Sequence, residues 1–194
     1  LSPHFIFNVL NQEVVNRKEE EKQELVSLVK LMRRNLELAE QLCVTLAEEL
    51  DFVKTYIDLE RRSLGATFHP VIEIAGDVLP ESVWLPSMMI QIPVENSVKH
   101  ALRGKEGKRN LWIAADRREG GVCIRITDNG GGYHPESRNR GTGTGMKVIM
   151  QTIQILNMKN QAAIDISVHN VTLPSGETGC EVTFLLPDKY DYRI

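Results

Sequence analysis

Within Val94-Glu95-Asn96-Ser97-Val98-Lys99-His100, the residues Asn96, Lys99 and His100 stand at i, i+3 and i+4, so a helix places them on one face. A neutral amide oxygen suits Mg²⁺ as a single protein ligand, because that ion keeps waters and takes its other oxygens from substrate phosphates. Lys99 offers a point charge to the same phosphates. Glu95 points about a hundred degrees away, where it can orient a metal-bound water or end in solvent. The alternative for the whole segment is a polar face on a surface helix.

Two glycine-rich boxes follow. Asp128-Asn129-Gly130-Gly131-Gly132 directly ends an apolar run, Val122 to Thr127. A carboxylate fixed at a strand end can accept a hydrogen bond from an exocyclic amine such as adenine's, and Gly130 and Gly132 let backbone approach a flat base. A glycine turn closed by an Asp is the alternative. Gly141-Thr142-Gly143-Thr144-Gly145 precedes a helical pattern. Free N–H groups at a helix N-terminus, approached by backbone without side chains, form a site for phosphates. The G-x-G-x-G spacing, with no strand running into it and no following Lys-Ser/Thr, excludes the dinucleotide fingerprint and the P-loop.

A third group of interest opens the sequence. Ser2 can cap a helix, Pro3 fits its first position, and His4 then lies in the first turn. The ring titrates near about 6.5 in model peptides, and a helix N-terminus disfavours the imidazolium. A neutral nitrogen nucleophile is therefore expected, with the same dipole favouring a phosphoryl group. Asn8, one turn on, either orients the ring or stays solvated. Read alone, the segment also fits a partly exposed capping histidine.

These residues need a scaffold, and the 194 residues, 42% hydrophobic and 25% charged, suffice for one large domain or two small ones. A net charge of −3, with Lys and Arg scattered, gives no basic field for nucleic acid. Cys43, Cys123 and Cys180 are far apart in apolar surroundings, which predicts buried reduced thiols in a cytoplasmic fragment. No apolar run reaches membrane-spanning length and no signal-peptide pattern is present, so no membrane contact by this fragment is expected. The start without Met suggests a piece of a longer protein.

From Ser2 to about Leu42, apolar residues such as Leu25, Met32 and Leu36 recur at helical spacings. Thr45 with Glu48 forms a capping box, and Leu46, Leu50, Val53 and Ile57 continue a second helix to about Leu64, stopped by Gly65. Two helices bury little by themselves, so pairing with a second copy into a four-helix bundle, a homodimer, is expected; packing on the following domain is the alternative. Gly65 to Pro70 reads as a linker. Beyond it, strands are predicted at Val71–Ile74, Leu111–Ala115, Val122–Thr127, Ile164–Val168 and Cys180–Leu186, with a hairpin at Gly120-Gly121. Several alternate apolar and polar residues, as half-buried strands do. Helices are predicted at Ser87–Arg103 and Met146–Leu156. The fold class is α+β: a helical hairpin over 1–64, then a two-layer α/β sandwich over 65–194.

Ser2-Pro3-His4-Phe5-Ile6-Phe7-Asn8, Glu95-Asn96-Ser97-Val98-Lys99-His100, Asp128-Asn129-Gly130-Gly131-Gly132 and Gly141-Thr142-Gly143-Thr144-Gly145, in this order, resemble the LytS-like sensor histidine kinases. The resemblance covers nearly the whole chain. It implies a dimerisation and phosphotransfer hairpin followed by an ATP-binding domain of the GHKL type, shared with gyrase and MutL. By that likeness His4 is the phosphoacceptor, Asn96 the magnesium ligand and Asp128 the adenine reader. Gly130, Gly132, Gly141, Gly143 and Gly145, with Thr142 and Thr144, form the nucleotide loop, and Lys99 and His100 match phosphate-side positions. Thr183 matches an adenine-holding hydroxyl only ambiguously. Pro93 stands one place later than in the family pattern, which bears on the aim of Asn96. The resemblance implies phosphoryl transfer from ATP, with Mg²⁺, to a His4 nitrogen, and onward to an aspartate on a response regulator receiver domain, for instance of LytTR type. It also implies an upstream sensor that anchors the full-length protein in the bacterial inner membrane. A GHKL ATPase switch is disfavoured by Ile92, where gyrase-like enzymes carry a water-activating Glu; a pseudokinase scaffold is the other alternative.

Overall fold

In the computed structural model, residues 41–133 and 144–193 are described, together with Val26 and Val29. Most of the helix expected over Ser2 to Leu42, His4 and Asn8 included, and the residues Gly141, Thr142 and Gly143 therefore lie outside the described residues; Val26 and Val29 are helical, and Gln41 and Leu42 are not.

Strand β1 (Cys43–Thr45) pairs antiparallel with β3 (Trp84–Pro86), Val44 opposite Leu85. Thr45 ends β1 and caps helix α1 (Leu46–Leu64): the Glu48 N–H donates to Thr45 Oγ1 at 3.3 Å and the Glu48 carboxylate accepts the Thr45 N–H at 2.9 Å. This is the capping box read from Thr-x-x-Glu. α1 ends at Gly65, whose φ of +69° suits glycine and whose N–H reaches the Arg61 carbonyl.

A five-stranded sheet in the order β2-β4-β5-β7-β6 carries the rest: β2 (Phe68–Ile74), β4 (Arg109–Arg118), β5 (Gly121–Asp128), β7 (Thr178–Pro187) and β6 (Asp165–Thr172). β2 runs parallel to β4; every other pair is antiparallel. The β4–β5 hairpin turns at Gly120, φ +81°, as its Gly-Gly signal predicts. β2 begins three residues earlier than its sequence suggested, so Phe68, His69 and Pro70 are strand rather than linker. Pro70 is tolerated because β2 is an edge strand, where a missing ladder donor costs little.

Leu111, Ile113 and Ala115 of β4, Ile124 and Ile126 of β5, and Val182, Phe184 and Leu186 of β7 face one way and are buried. Ile149 and Ile153 of helix α3 (Thr144–Asn157) cover them, giving the two layers expected. β5 departs from the half-buried reading: as the central strand it is buried at every position except Arg125.

α1 also departs from expectation. Leu46, Leu50, Phe52, Val53, Tyr56 and Ile57, 0 to 7% exposed, belong to the same core cluster as the sheet. Its apolar stripe is covered within the chain, so the need for cover that pointed to a second copy is met here by the sheet's own core. The helix predicted over Ser87–Arg103 is shorter and irregular. α2 (Gln91–Asn96) continues without a break as a π-helical segment, Ser97–Leu102. Pro93 lies in the first turn of α2, between Ile92, bonded to Met88 O, and Val94, bonded to Ile90 O. One ladder bond is absent and the helix continues.

Candidate functional site

Register fixes the floor of the site. Leu111 pairs with Asp128 in β4–β5, and the β5–β7–β6 pairing carries the row on through Cys180, which pairs with Asn170. Alternation puts these four residues on the helix-facing side at one end of the sheet.

Asp128 is 2% exposed. Its Oδ2 accepts from Ser97 Oγ at 2.8 Å, its Oδ1 from the Gly130 N–H at 2.9 Å, and the Cys180 N–H adds to these. Burial pushes its carboxyl above the usual range, and the three donors act against that shift. Each carboxylate oxygen has lone pairs to spare, so a further amine donor can be accepted. Cys180, read from the sequence only as a buried thiol and not as part of a site, stands beside this carboxylate; burial, then Asp128 and Glu181, push its thiol up to about 11. Cys123 is buried and Cys43 half-buried, both as free thiols.

The glycine loop is held from several sides. Asn129, 1% exposed, accepts the Asn110 N–H at 2.8 Å and donates to Lys108 O and Glu177 Oε2. Glu177 also takes Lys105 Nζ at 2.7 Å and Ser175 Oγ at 3.0 Å, and the Lys105, Asn129 and Ser175 donors hold its carboxyl down at about 2. Gly130 is required by the helix more than by a ligand, since a Cβ there would sit 2.3 Å from Ala101 Cβ. A Cβ on Gly132, φ +89°, would meet Asn170 Oδ1 at 2.9 Å. Asn170 brackets Tyr133, accepting its N–H at 2.6 Å and donating to its carbonyl.

On α2, Asn96 is half-buried and its side chain makes no hydrogen bond among the described residues. Glu95 accepts from Gln91 Nε2 at 2.8 Å and pairs with Lys99 Nζ at 3.1 Å; Lys99 and His100 are exposed in the π segment. A π turn inside a helix commonly marks a functional position. Gly145, in the first turn of α3 after Thr144, packs on α2, where a Cβ would lie 2.9 Å from Ile92 Cγ2. The exit of the second glycine box therefore adjoins the helix of Asn96. Among the described residues no group of three His, Cys, Asp or Glu can hold a metal. An uncommitted amide beside a lysine fits an ion that takes most of its ligands from phosphate and water.

Thr183 falls elsewhere. It pairs with Arg125, and alternation along β7 turns it to the face opposite Asp128 and Cys180. The structure thus brings together Asp128, Gly130, Gly132, Asn96, Lys99 and Gly145, adds Ser97, Cys180 and Asn170, and leaves Thr183 out.

A family profile described as histidine kinase-, DNA gyrase B-, and HSP90-like ATPase matches residues 86–190, and the chain belongs to that family. A second, described as histidine kinase, matches residues 1–68. The sensor protein LytS of Bacillus subtilis is 29% identical over 202 residues, covering 96% of this chain and 32% of that protein. The sensor histidine kinase BtsS of Escherichia coli K12 is 31% identical over 146 residues, covering 74% of this chain and 26% of that protein. The expected likeness to LytS-like sensor histidine kinases is borne out, and the chain spans about a third of the length of such relatives. Among solved structures, the histidine kinase domain of the Erythrobacter litoralis EL346 blue-light activated histidine kinase superposes with a TM-score of 0.53 at 13% identity. That match covers 84% of this chain and 74% of that one. The catalytic domain of histidine kinase ThkA does so at 0.50 and 15%, covering 78% and 97%. These likenesses bear out the sandwich fold.

Proposed function

We propose that the chain is the kinase core of a two-component sensor: it binds Mg-ATP between α2, the Asp128 loop and the start of α3, and transfers the γ-phosphoryl group to His4. The observation that carries the reading is the buried Asp128 carboxylate, bonded to Ser97 on the helix that also bears the uncommitted Asn96. Asp128 accepts the adenine amine. Lys99 exchanges Glu95 for phosphate oxygens, Gly145 with Gly141, Thr142, Gly143 and Thr144 lines the phosphates, and His100 stands at their outer edge. Asn96 would hold Mg²⁺, which supplies charge neutralisation to the phosphate oxygens. His4 provides the attacking nitrogen, oriented by Asn8; Glu95 keeps Lys99 and Gln91 in place until nucleotide arrives.

Because α1 shares the sheet's core, β1 and α1 pack with the nucleotide-binding unit, and the phosphotransfer and dimerising segment carries His4 within residues 1–64. A receiver-domain aspartate of a response regulator then takes the phosphoryl group. The whole protein is a membrane-anchored sensor; no described helix is long and apolar enough to cross a membrane. Against an ATPase switch, Ile92 presents an apolar side chain to Gly145 where a general base is needed.

Incubation with γ-labelled ATP and Mg²⁺ tests the reading. Acid-labile, base-stable label on the protein, absent in His4→Ala, is expected. Free phosphate without protein label would overturn it in favour of the ATPase, and absence of nucleotide binding would leave a scaffold.

A further inference from the structure

α2 has no cap of its own. Its N-cap position is Ile90, which has no side-chain acceptor, and no side-chain cap bond is made there. Ser87, the nearest hydroxyl upstream, is occupied with the Gln41 carbonyl. Six α-helical residues followed by a π turn cannot fix their own direction, since so short a helix is unstable in isolation. The free N–H groups of its start are met from another helix. Glu49 of α1, 0% exposed, accepts the Met88 N–H through Oε1 at 2.6 Å, and the Ile90 and Gln91 N–H groups through Oε2, both at 3.1 Å.

Met88 has a φ of +67°, a left-handed backbone that a side chain other than glycine adopts only when its surroundings impose it. The short bond from Glu49 is made to that residue's own N–H. At the far end, Glu60 of α1 pairs with Arg103, just beyond the π segment, at 2.6 Å. α1 therefore lies as a splint along the segment from Met88 to Arg103, pinned at both ends.

We propose that Glu49 is a positioning residue for the magnesium-nucleotide site: by clamping the first turn of α2 it aims the Asn96 amide at the phosphates. The inference rests on the Mg-ATP reading above. Five residues, about 7.5 Å of helix, separate Gln91 from Asn96, so a rotation of about 10° at the clamp moves Asn96 by about 1.3 Å. Displacements of that size are enough to spoil a metal–phosphate geometry. A buried carboxylate would also be left uncompensated if α2 moved away, so the clamp allows one arrangement. Asp128 is also held from outside that helix, by the Gly130 and Cys180 N–H groups, so base recognition should depend less on Glu49 than the metal site does.

The test is the magnesium enhancement of ATP affinity, measured by calorimetry on the full chain in excess Mg²⁺ and in EDTA. In Glu49→Gln the amide nitrogen must replace either Oε1, facing the Met88 N–H, or Oε2, facing the Ile90 and Gln91 N–H groups, so at least one of the three bonds is lost and the full clamp cannot be rebuilt. The expected result is an enhancement reduced about fivefold or more, with affinity in EDTA within about twofold of the parent. Val53→Ala, a core truncation on the same helix, lowers thermal stability and keeps the full enhancement. If Glu49→Gln fails to fold, Glu49→Asp carries the same measurement, its carboxylate withdrawn by about one bond length. The proposal is overturned if the Glu49 variant keeps the full enhancement, or if it loses affinity equally with and without Mg²⁺ as a merely destabilised protein would. A parent protein that binds no nucleotide, or shows no enhancement, overturns the Mg-ATP reading instead.

Discussion

Asp128 combines deep burial with the acceptor role that the proposed site gives it. Burial raises its carboxyl above the usual 3.8, so protonation in the fold begins at a higher pH than in the unfolded chain. Ligand-free stability contributed by this group therefore increases as pH falls through the raised value toward 3.8. Adenine affinity has the opposite sign, because only the ionised form leaves both oxygens free to accept. ADP affinity should decline on acidification earlier than an ordinary carboxylate would allow, and Asp128→Asn should bind ADP weakly with no such pH dependence. Calorimetric titrations across the acid range check both. Gly130 makes a separate prediction, since its Cβ would meet the Cα and carbonyl carbon of Ala101 at 2.8 Å as well as Cβ. Gly130→Ala should destabilise by about 2 kcal/mol or more, with only partial rescue by Ala101→Gly, read from urea midpoints.

At the scale of elements, local signals were legible where they were local. The Thr45–Glu48 box, the Gly65 stop, the Gly120 turn and the strands on either side of it follow from spacing and backbone chemistry. The cap of α2 was not legible, because its acceptor comes from Glu49, thirty-nine residues before Met88. Nor was the row Asp128, Cys180, Asn170, which only register assembles; Thr183 has the hydroxyl and the wrong parity. The link between the glycine loop and the β6–β7 turn is of the same non-local kind. Its partners Lys105, Asn129 and Ser175 lower the Glu177 carboxyl to about 2 from an ordinary 4.5. A depressed folded value means stabilisation complete above 4.5 and lost as pH falls toward 2. The difference in urea midpoint between the parent and Glu177→Gln should accordingly be present at neutral pH and shrink below pH 4.5.

At the scale of the whole molecule, the periodicity of Leu46, Leu50, Val53 and Ile57 reports that a helix has an apolar face and says nothing of what covers it. Cover by the sheet favours a folding unit that takes in β1 and α1 together with residues 65–194. The magnitudes decide what truncation should do. Leu46, Leu50, Phe52, Val53, Tyr56 and Ile57 are 0 to 7% exposed, and each such side chain contributes about 1.5–3 kcal/mol. Their sum, on the order of 10 kcal/mol, equals the whole stability of an ordinary domain. Deleting residues 1–64 should therefore leave a chain that does not fold. Deleting residues 1–40 keeps β1, α1 and the Glu49 clamp, and should preserve cooperative melting and ADP affinity within about twofold while abolishing self-phosphorylation. If the 65–194 fragment melts cooperatively and binds ADP, the core assigned to α1 is not what holds the nucleotide-binding unit together.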